Sequence, residues 1–358
     1  MMRYTRVHLE AMGYELAPNV VSTRALEARL GPLYEKLNLK PGHLELLTGI
    51  RERRWWDAGH TNAAGAAAAA RRALAAASFP ADELEGLIYG GVCRDHLEPA
   101  TACDVAAALG VSPSAEVYDV SNACLGVLNG LVEIANRIEL GQIRAGMVVA
   151  CESAREINEI MIDRMLADST MDAFRLGLAT LTGGSGAVAL LLTDGRLRTR
   201  IPADPSGQAP PRPRLRGGFA RTAPRHHALC RWEVDGCGPN NGGPFTATDA
   251  GAVMRHGVEL GLEAWSGFLE AVGWVGNEPD RVVCHQVGVH HRQGILQALG
   301  LPEAKDFSTF EYLGNVGTVS LPLTAALASE RGLLRPGQRV AFLGIGSGLN
   351  CLMLGWDW

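Results

Sequence analysis

The sequence predicts an α/β protein with two halves, and three observations favour that class. Short apolar runs alternate with segments of helical periodicity, which is typical of α/β folds. The runs are rich in Val, Ile and Leu, as expected for strands that helices cover on both faces of a sheet. The chain has 358 residues, and domains usually hold about 150 residues, so it is long enough for two such units.

The apolar runs predict six strands, at residues 85–90, 115–120, 146–151, 187–192, 281–285 and 339–345. Residues 62–77 are expected to form a tightly packed helix because they are mostly alanine, which has the highest helix propensity. Apolar residues at helical spacing predict a second helix at 123–140. A third helix is expected at 251–272.

The character of the chain changes over residues 196–243, which are rich in Arg, Pro and Gly. Because no helical or strand period survives there, we expect a connection between an N-terminal half, 1–195, and a C-terminal half, 244–358. The basic run at 196–216 is interpreted as solvated linker. Each half closes on a strand followed by a glycine-rich turn, which predicts a weak pseudo-duplication and not an array of short repeats.

Charge and composition exclude several classes. Lys and Arg number 33 against 38 Asp and Glu, a net charge of −5 that offers no global field for nucleic acid or an anionic membrane. No signal-peptide core and no uncharged apolar run of about 18 residues is present, so no membrane span is expected. The eight cysteines are scattered, unlike those of a secreted disulfide scaffold. We expect a cytoplasmic protein with reduced thiols.

The strongest local feature surrounds Cys124, in the segment YDVSNACLGVLNG at 118–130. A predicted strand leads through small polar residues to Cys124, which stands at the start of a predicted helix. Backbone N–H groups and the helix dipole favour a thiolate there, and a thiolate is a nucleophile for thioester chemistry. A buried structural cysteine is the alternative that this pattern leaves open.

Two residues of the C-terminal half are candidate oxyanion donors. His285 follows a predicted strand, and Asn315 lies in the segment LGNVGTVSLP at 313–322. Both side chains can donate hydrogen bonds to a developing oxyanion, although a lone histidine is also compatible with a core position. The glycines beside Asn315, including Gly314, allow a ligand to approach closely.

The C-terminal segment LGIGSGLN at 343–350 superficially matches a dinucleotide-binding turn. Only eight residues follow Asn350, too few for the helix and second strand of such a site. We interpret the segment as a turn whose backbone N–H near Ser347 faces a substrate carbonyl. The His and Cys spacings match no familiar zinc site, so no metal is expected.

The order of these motifs is that of the thiolase superfamily, and the pattern resembles its 3-oxoacyl-ACP synthase III branch. Within that branch the chain is most similar to OleA-type enzymes, which condense two fatty acyl-CoA thioesters head to head. The segments that carry this resemblance are TGIRERRWWD at 48–57, CRDHLEP at 93–99, NACL at 122–125 and GIGSGLNC at 344–351.

The resemblance implies a five-layered αβαβα fold of two similar halves and a homodimer that uses no cofactor. Cys124 would accept an acyl group from the first thioester, and its own N–H with that of Ser347 would form the oxyanion hole. His285 and Asn315 would hold the carbonyl oxygen of the second thioester as its enolate forms. Residues expected to contact substrate are Arg51, Gly314, Gly346 and Gly348.

Glu98 distinguishes two chemistries. A malonyl donor generates its carbanion by losing carbon dioxide, whereas an ordinary acyl-CoA needs a base to remove its α-proton. OleA-type enzymes resemble this chain in carrying a glutamate at the position of Glu98, donated across the dimer interface. The resemblance therefore implies that Glu98 is the base of a non-decarboxylative Claisen condensation that gives a β-keto acid or β-ketoacyl product.

Several alternatives remain open at this point. The chain could be a decarboxylative 3-oxoacyl-ACP synthase III that uses a malonyl donor, or an acyltransferase to an oxygen or nitrogen nucleophile. A silent partner subunit is disfavoured because Cys124, His285 and Asn315 are all present. His43 and Leu47 replace an aromatic residue and an arginine of related enzymes, which leaves CoA or acyl carrier protein open as the carrier. The length of the acyl chain is also open.

Overall fold

The computed structural model describes residues 1–196, 212–233, 245–274 and 279–358. Within these residues the strands are β1 (Met2–Arg3), β2 (His8–Leu16), β3 (Asn19–Ser22), β4 (Glu52–Trp55), β5 (Gly86–Tyr89), β6 (Glu116–Asp119), β7 (Ala145–Glu152), β8 (Gly186–Thr193), β9 (Arg214–Thr222), β10 (Cys230–Glu233), β11 (Phe245–Thr248), β12 (Arg281–Cys284), β13 (Arg339–Gly346) and β14 (Asn350–Asp357). The α-helices of the same residues are α1 (Thr23–Arg29), α2 (Gly31–Lys36), α3 (His43–Thr48), α4 (Asn62–Ala77), α5 (Thr101–Leu109), α6 (Gly126–Glu139), α7 (Arg155–Asp168), α8 (Met171–Gly177), α9 (Ala250–Val272), α10 (Val289–Ala298), α11 (Phe310–Leu313) and α12 (Ser320–Glu330).

The main sheet has ten strands in the order β12-β13-β14-β9-β2-β8-β7-β5-β6, with β1 beside β9. Its two halves meet where His8 of β2 pairs with Arg214 of β9. In the first half β5 and β7 are parallel, and β8 and β2 follow antiparallel. In the second half β12 and β13 are parallel, and β14 and β9 follow antiparallel. This repeated arrangement agrees with the predicted pseudo-duplication.

Three of the four apolar cores in the described ranges lie between the five layers of the fold. Helices α6 and α12 share one core with inward-facing residues of both halves of the sheet. Helices α4 and α5 cover the outer face of the first half, and α9 and α10 cover that of the second half. Successive residues of a strand point to opposite faces: Val148 of β7 enters the central core, whereas Met147 and Val149 enter an outer one. The predicted burial of strands on both faces is confirmed.

Helix α4 shows why an alanine-rich sequence suits this architecture. It begins and ends where the sequence predicted, and its N-cap Thr61 accepts a hydrogen bond from the N–H of Ala64 at 3.3 Å. The helix lies so close to β2 that a Cβ on Gly13 would collide with the backbone oxygen of Ala69. Small side chains on both elements therefore permit this close packing of helix on sheet.

The connection expected at residues 196–243 is only partly irregular, and the prediction that it lacks a strand is wrong for the short β10 and for the longer β9. That strand pairs with β14 on one side and with β1 and β2 on the other. It carries Gly217 and Gly218 and has no regular apolar alternation, so it is held by backbone pairing to its neighbours. Residues 197–211 and 234–243 of the expected connection lie outside the described residues.

Three further strands of the main sheet, β1, β2 and β14, were not predicted from the sequence. The eight residues of β14 pair along their whole length with β13. The turn between them therefore joins two antiparallel strands, unlike the strand-to-helix turn of a dinucleotide site.

Across the described ranges, no helix has both the length and the apolar character that crossing a membrane requires.

Candidate active site

One cavity of about 420 Å³ brings the principal predicted site residues together. Cys124, His285 and Asn315 line it, with Gly346 and Ser347 of the turn between β13 and β14. Much of the remaining wall is apolar and comes from one face of α9, from β13 and from α10. The residues of α9 that line it are Val253, Met254, Gly257, Val258 and Gly261.

Cys124 lies in a tight turn directly before α6. Ala123 has a positive φ of 46°, and the N–H of Leu125 donates to the oxygen of Asn122 at 2.9 Å. Helix α6 begins at Gly126, three residues later than predicted. A Cβ on Gly126 would collide with the oxygen of Gly90, so glycine there lets the turn pass against the end of β5. The turn directs Cys124 into the cavity.

Burial determines the state of the Cys124 thiol. Although part of the residue faces the cavity, burial in the surrounding protein raises the pKa of Cys124 to about 12, with a smaller contribution from the charge of Glu152. A helix N-terminus stabilises an anion by at most about 2 kcal/mol, whereas burial shifts a pKa by up to 3–5 units. The thiolate expected from the sequence is therefore absent at rest, and a base has to accept the proton.

His285 lines the same cavity as Cys124 and is uncharged at neutral pH. Its backbone N–H donates to the backbone oxygen of Leu343 at 3.0 Å, which continues the pairing of β12 with β13 by one residue. The residue is 8% exposed, and burial, followed by the neighbouring His291, lowers the pKa of His285 to about 4. The imidazole is thus neutral at pH 7, and a neutral imidazole has one nitrogen that accepts a proton and one that donates.

The orientation of Asn315 is fixed by its own turn. Its Oδ1 accepts the N–H of Gly317 at 3.0 Å and the hydroxyl of Ser320 at 3.4 Å. Its backbone N–H donates to the oxygen of Thr182 at 2.9 Å. Because Oδ1 is engaged, the side chain presents its NH2 group to the cavity as a hydrogen-bond donor.

Two asparagines that the sequence did not single out join the Ser347 turn to the Cys124 turn. The Nδ2 of Asn350 donates to Oδ1 of Asn122 and to the oxygen of Ser347, both at 3.1 Å. A Cβ placed on Gly346 would lie 3.4 Å from the backbone nitrogen of Cys124. The two turns are thus in close contact, as required if their N–H groups bind one oxyanion. Asn122 lies in the NACL motif and Asn350 in the GIGSGLNC motif, and these positions were the only indication in the sequence that the two asparagines belong to the site.

The other predicted substrate residues do not line the cavity. Gly314 and Gly348 both have positive φ, and an added Cβ would press on Thr182 and Asn350 respectively, so packing explains both glycines. Arg51 is a surface residue 3.5 Å from Glu311 in an ion pair.

Glu98 is exposed and also lies outside the cavity of its own chain. It belongs to the loop at residues 90–99, which other contacts hold in place. Asp95 in this loop accepts the N–H groups of Asn62 and Ala63 at 2.7 and 2.9 Å, and Arg94 pairs with Asp119 at 3.1 Å. The adjacent Leu97 is 82% exposed. The loop therefore presents a carboxylate and an apolar side chain on the surface.

In the described part of the chain, no cluster of three or more His, Cys, Asp or Glu is arranged to hold a metal.

Comparison with known proteins extends these observations. Residues 269–358 match the family model described as 3-oxoacyl-[acyl-carrier-protein] synthase III C terminal. An acyl-CoA:acyl-CoA alkyltransferase from Shewanella oneidensis is 53% identical and covers 100% of both chains, and one from Xanthomonas campestris is 34% identical over 98% of both. A crystal structure of Xanthomonas campestris OleA with bound lauric acid and lauroyl-CoA has a TM-score of 0.90 at 33% identity and covers 99% of this chain and 100% of that one.

The predicted thiolase-like fold is confirmed by this match in structure. The identity and coverage also confirm the resemblance seen in the sequence motifs. The chain belongs to the acyl-CoA:acyl-CoA alkyltransferase (OleA) family, within the 3-oxoacyl-ACP synthase III branch of the thiolase superfamily.

Proposed function

We propose that the protein condenses two fatty acyl-CoA thioesters by a non-decarboxylative Claisen reaction through an acyl-Cys124 intermediate. The observation that carries the proposal is the single, largely apolar cavity that unites Cys124, His285 and Asn315. Its volume of about 420 Å³ falls within the range of about 300–1,000 Å³ that is usual for small-molecule sites. The names of the full-length relatives support the same reaction.

In the first half-reaction the sulfur of Cys124 attacks the carbonyl carbon of one acyl-CoA while neutral His285 accepts the thiol proton. This assignment rests on the placement of both side chains in one cavity and on the neutral state of the imidazole, which leaves one ring nitrogen able to accept a proton. The N–H groups of Cys124 and Ser347 stabilise the tetrahedral oxyanion. The C–S bond to CoA then breaks, and the proton held by His285 passes to the departing CoA sulfur.

In the second half-reaction the carbonyl oxygen of another acyl-CoA accepts hydrogen bonds from Asn315 and His285. Glu98 of the partner subunit removes the α-proton, and the two donors stabilise the enolate. The α-carbon attacks the acyl-Cys124 carbonyl, the new C–C bond forms, and the Cys124 thioester breaks. Glu98 releases the α-proton to solvent and the departing Cys124 sulfur takes up a proton, so that both groups return to their starting states. The product is a β-ketoacyl-CoA, whose hydrolysis gives a β-keto acid and CoA.

The proposal includes a cytoplasmic homodimer that uses CoA thioesters as substrates and needs no resident cofactor. The reaction needs a free thiol, and the cytoplasm keeps thiols reduced. The second copy is part of the proposal because Glu98 is exposed outside the cavity of its own chain and could act as the base only in the site of another chain. A nucleophile, two bases and oxyanion donors suffice for both half-reactions, so the chemistry calls for no electron carrier.

The test is to incubate the purified protein with one acyl-CoA and no malonyl-CoA. We expect CoA release, one acyl group on Cys124 by intact-mass analysis, and a β-keto product. Cys124→Ala should abolish all three, whereas the matched control Cys230→Ala, at a cysteine that also lines the cavity, should retain the acyl-enzyme. Product that forms only with malonyl-CoA would instead support the decarboxylative reaction.

A further inference from the structure

Glu152 is a buried carboxyl that the proposed reaction does not use. It is the last residue of β7 and is 4% exposed. Its two oxygens accept the backbone N–H groups of Val92 and Cys93, at 2.9 and 3.1 Å. Those two residues begin the exposed part of the 90–99 loop, which carries Glu98. One carboxyl thus fixes the backbone at the start of this loop.

The same carboxyl also contacts the turn that orients Asn315. A Cβ on Gly317 would lie 3.2 Å from Cδ of Glu152 and 3.3 Å from its Oε1, so the side chain packs directly on the Gly317 backbone. The N–H of Gly317 donates to Oδ1 of Asn315 at 3.0 Å. A shift of Glu152 would therefore be transmitted to the amide of Asn315 through one residue.

Thr318 extends the connection to the helix that follows Cys124. Its hydroxyl oxygen accepts the N–H of Val127 at 2.8 Å, in the first turn of α6, whose own N-cap residue provides no side-chain hydrogen bond. The backbone of Thr318 also lowers the pKa of the Glu152 carboxyl. Glu152 therefore contacts both the Glu98 loop, which would serve the partner's site, and the Asn315 turn of its own site, and Thr318 links that turn to the start of α6.

Glu152 is costly to bury, which makes a purely space-filling role a poor explanation. Burial raises the pKa of Glu152, whereas hydrogen bonds from the two loops lower it. A buried carboxyl destabilises a protein unless hydrogen bonds satisfy it, and here the partners are backbone groups of loops that carry site residues. Its hydrogen bonds and packing can therefore hold those loops in fixed positions relative to each other.

We propose that Glu152 is a positioning residue for the condensation step, because it joins the Glu98 loop to the Asn315 turn. The inference rests on the proposed function, in which these two residues act on the second thioester and not on the first. Loss of the junction should therefore affect condensation more than acylation of Cys124.

The test compares Glu152→Gln with wild type in two assays, single-turnover acylation of Cys124 by intact mass and steady-state formation of the β-keto product. The amide has nearly the same shape but can accept only one of the two N–H groups and directs its own donors at the other. We expect condensation to fall about 100-fold while acylation changes less than about threefold, since a 1 Å misplacement costs about that much. Glu152→Asp, which keeps the carboxylate, should recover part of the condensation rate.

The matched control is Glu139→Gln. The carboxylate of Glu139 also accepts two consecutive backbone N–H groups, those of Thr5 and Arg6, both at 2.9 Å, but it lies at the far end of α6. This variant should lower the melting temperature and leave the ratio of condensation to acylation unchanged. If Glu152→Gln does not fold, Glu152→Asp is judged by the same ratio, with a smaller decrease expected.

Two outcomes would overturn the assignment of Glu152. One is a wild-type ratio of the two rates in both Glu152 variants, and the other is an equal loss of both rates. The wild-type protein is measured first in the same assays. If it is acylated but forms no product from acyl-CoA alone, the proposed function is wrong, and the inference about Glu152 is wrong with it. This outcome is seen in the wild-type protein and is therefore distinct from the two outcomes above, which are seen only in the variants.

Discussion

At the scale of single residues, the pKa of His285 sets the pH range of acylation. Burial and the neighbouring His291 lower this pKa to about 4, so the imidazole stays neutral and able to accept a proton as the pH falls from 7 to about 5. We expect the single-turnover acylation of Cys124 to keep most of its rate over this range. A rate that halves near pH 6.5, the ordinary value for histidine, would show that His285 titrates normally or is not the base.

Asn315 should matter for the second thioester and much less for the first. Its NH2 group is the donor left to face the cavity, because Gly317 and Ser320 engage its Oδ1. We expect Asn315→Ala to lower condensation by about 100- to 1,000-fold, the usual cost of losing one oxyanion donor, while the acyl-Cys124 burst persists. Asn158→Ala is the control, since Asn158 is also buried and donates a hydrogen bond to the oxygen of Ala154, the N-cap residue of α7. Equal condensation rates in the two variants would make Asn315 a structural residue.

The candidate site was predictable from sequence only as far as its motifs extend. Cys124, His285 and Asn315 could be named because each stands in a recognisable segment, and all three line one cavity. The charge state of Cys124 could not be predicted, because it depends on burial by residues distant in sequence. Glu152 was missed for the same reason, since its partners lie about 60 residues away in the chain.

At the scale of elements, helix α9 is expected to set the length of the acyl chain. Gly257 lines the cavity, and an added Cβ would lie 3.6 Å from Ile345, an ordinary contact distance. Gly257→Ala should therefore fit without a clash. Larger side chains in Gly257→Val and Gly257→Leu should fill more of the cavity, and the preference should shift progressively to shorter acyl-CoAs. Replacing glycine by alanine also favours the helix by about 1 kcal/mol, so we expect Gly257→Ala to fold.

The measurement for this series is the condensation rate across acyl-CoAs of increasing length. Leu262→Ala provides the control, since Leu262 belongs to α9 but is 52% exposed. We expect this control to keep the wild-type length preference. An unchanged preference in Gly257→Leu would mean that the acyl chain occupies another part of the cavity.

The elements that the sequence predicted are those whose own residues determine them. Helix α4 has its predicted bounds because alanine favours a helix regardless of context, and the six apolar runs all became strands. Strand β9 was missed because its glycines and arginines have no strand pattern, and only the pairing with β14 and β1 makes it a strand. Edge and junction strands depend on partners that a local pattern cannot reveal.

At the scale of the whole molecule, the proposed dimer makes a test by complementation possible. Glu98→Ala should retain acylation of Cys124 but lose condensation, because the enolate can no longer form. Mixing Glu98→Ala with Cys124→Ala chains should restore about a quarter of wild-type activity, because half of the dimers are mixed and each mixed dimer has one complete site. The condensation rate is measured after subunit exchange, which mass spectrometry of tagged chains verifies. No recovery despite exchange would place Glu98 in its own subunit's site or outside the chemistry.

The hydrogen bond between Thr318 and Val127 joins groups that are 191 residues apart in the chain. During protein synthesis at about 5–20 residues per second, the segment around Cys124 therefore leaves the ribosome roughly 10–40 s before the segment that caps its helix. His285 and Ser347 also belong to the later part of the chain. A nascent chain thus carries its nucleophile without His285 and with only part of its oxyanion hole, and thioester chemistry has to await synthesis of the full-length polypeptide.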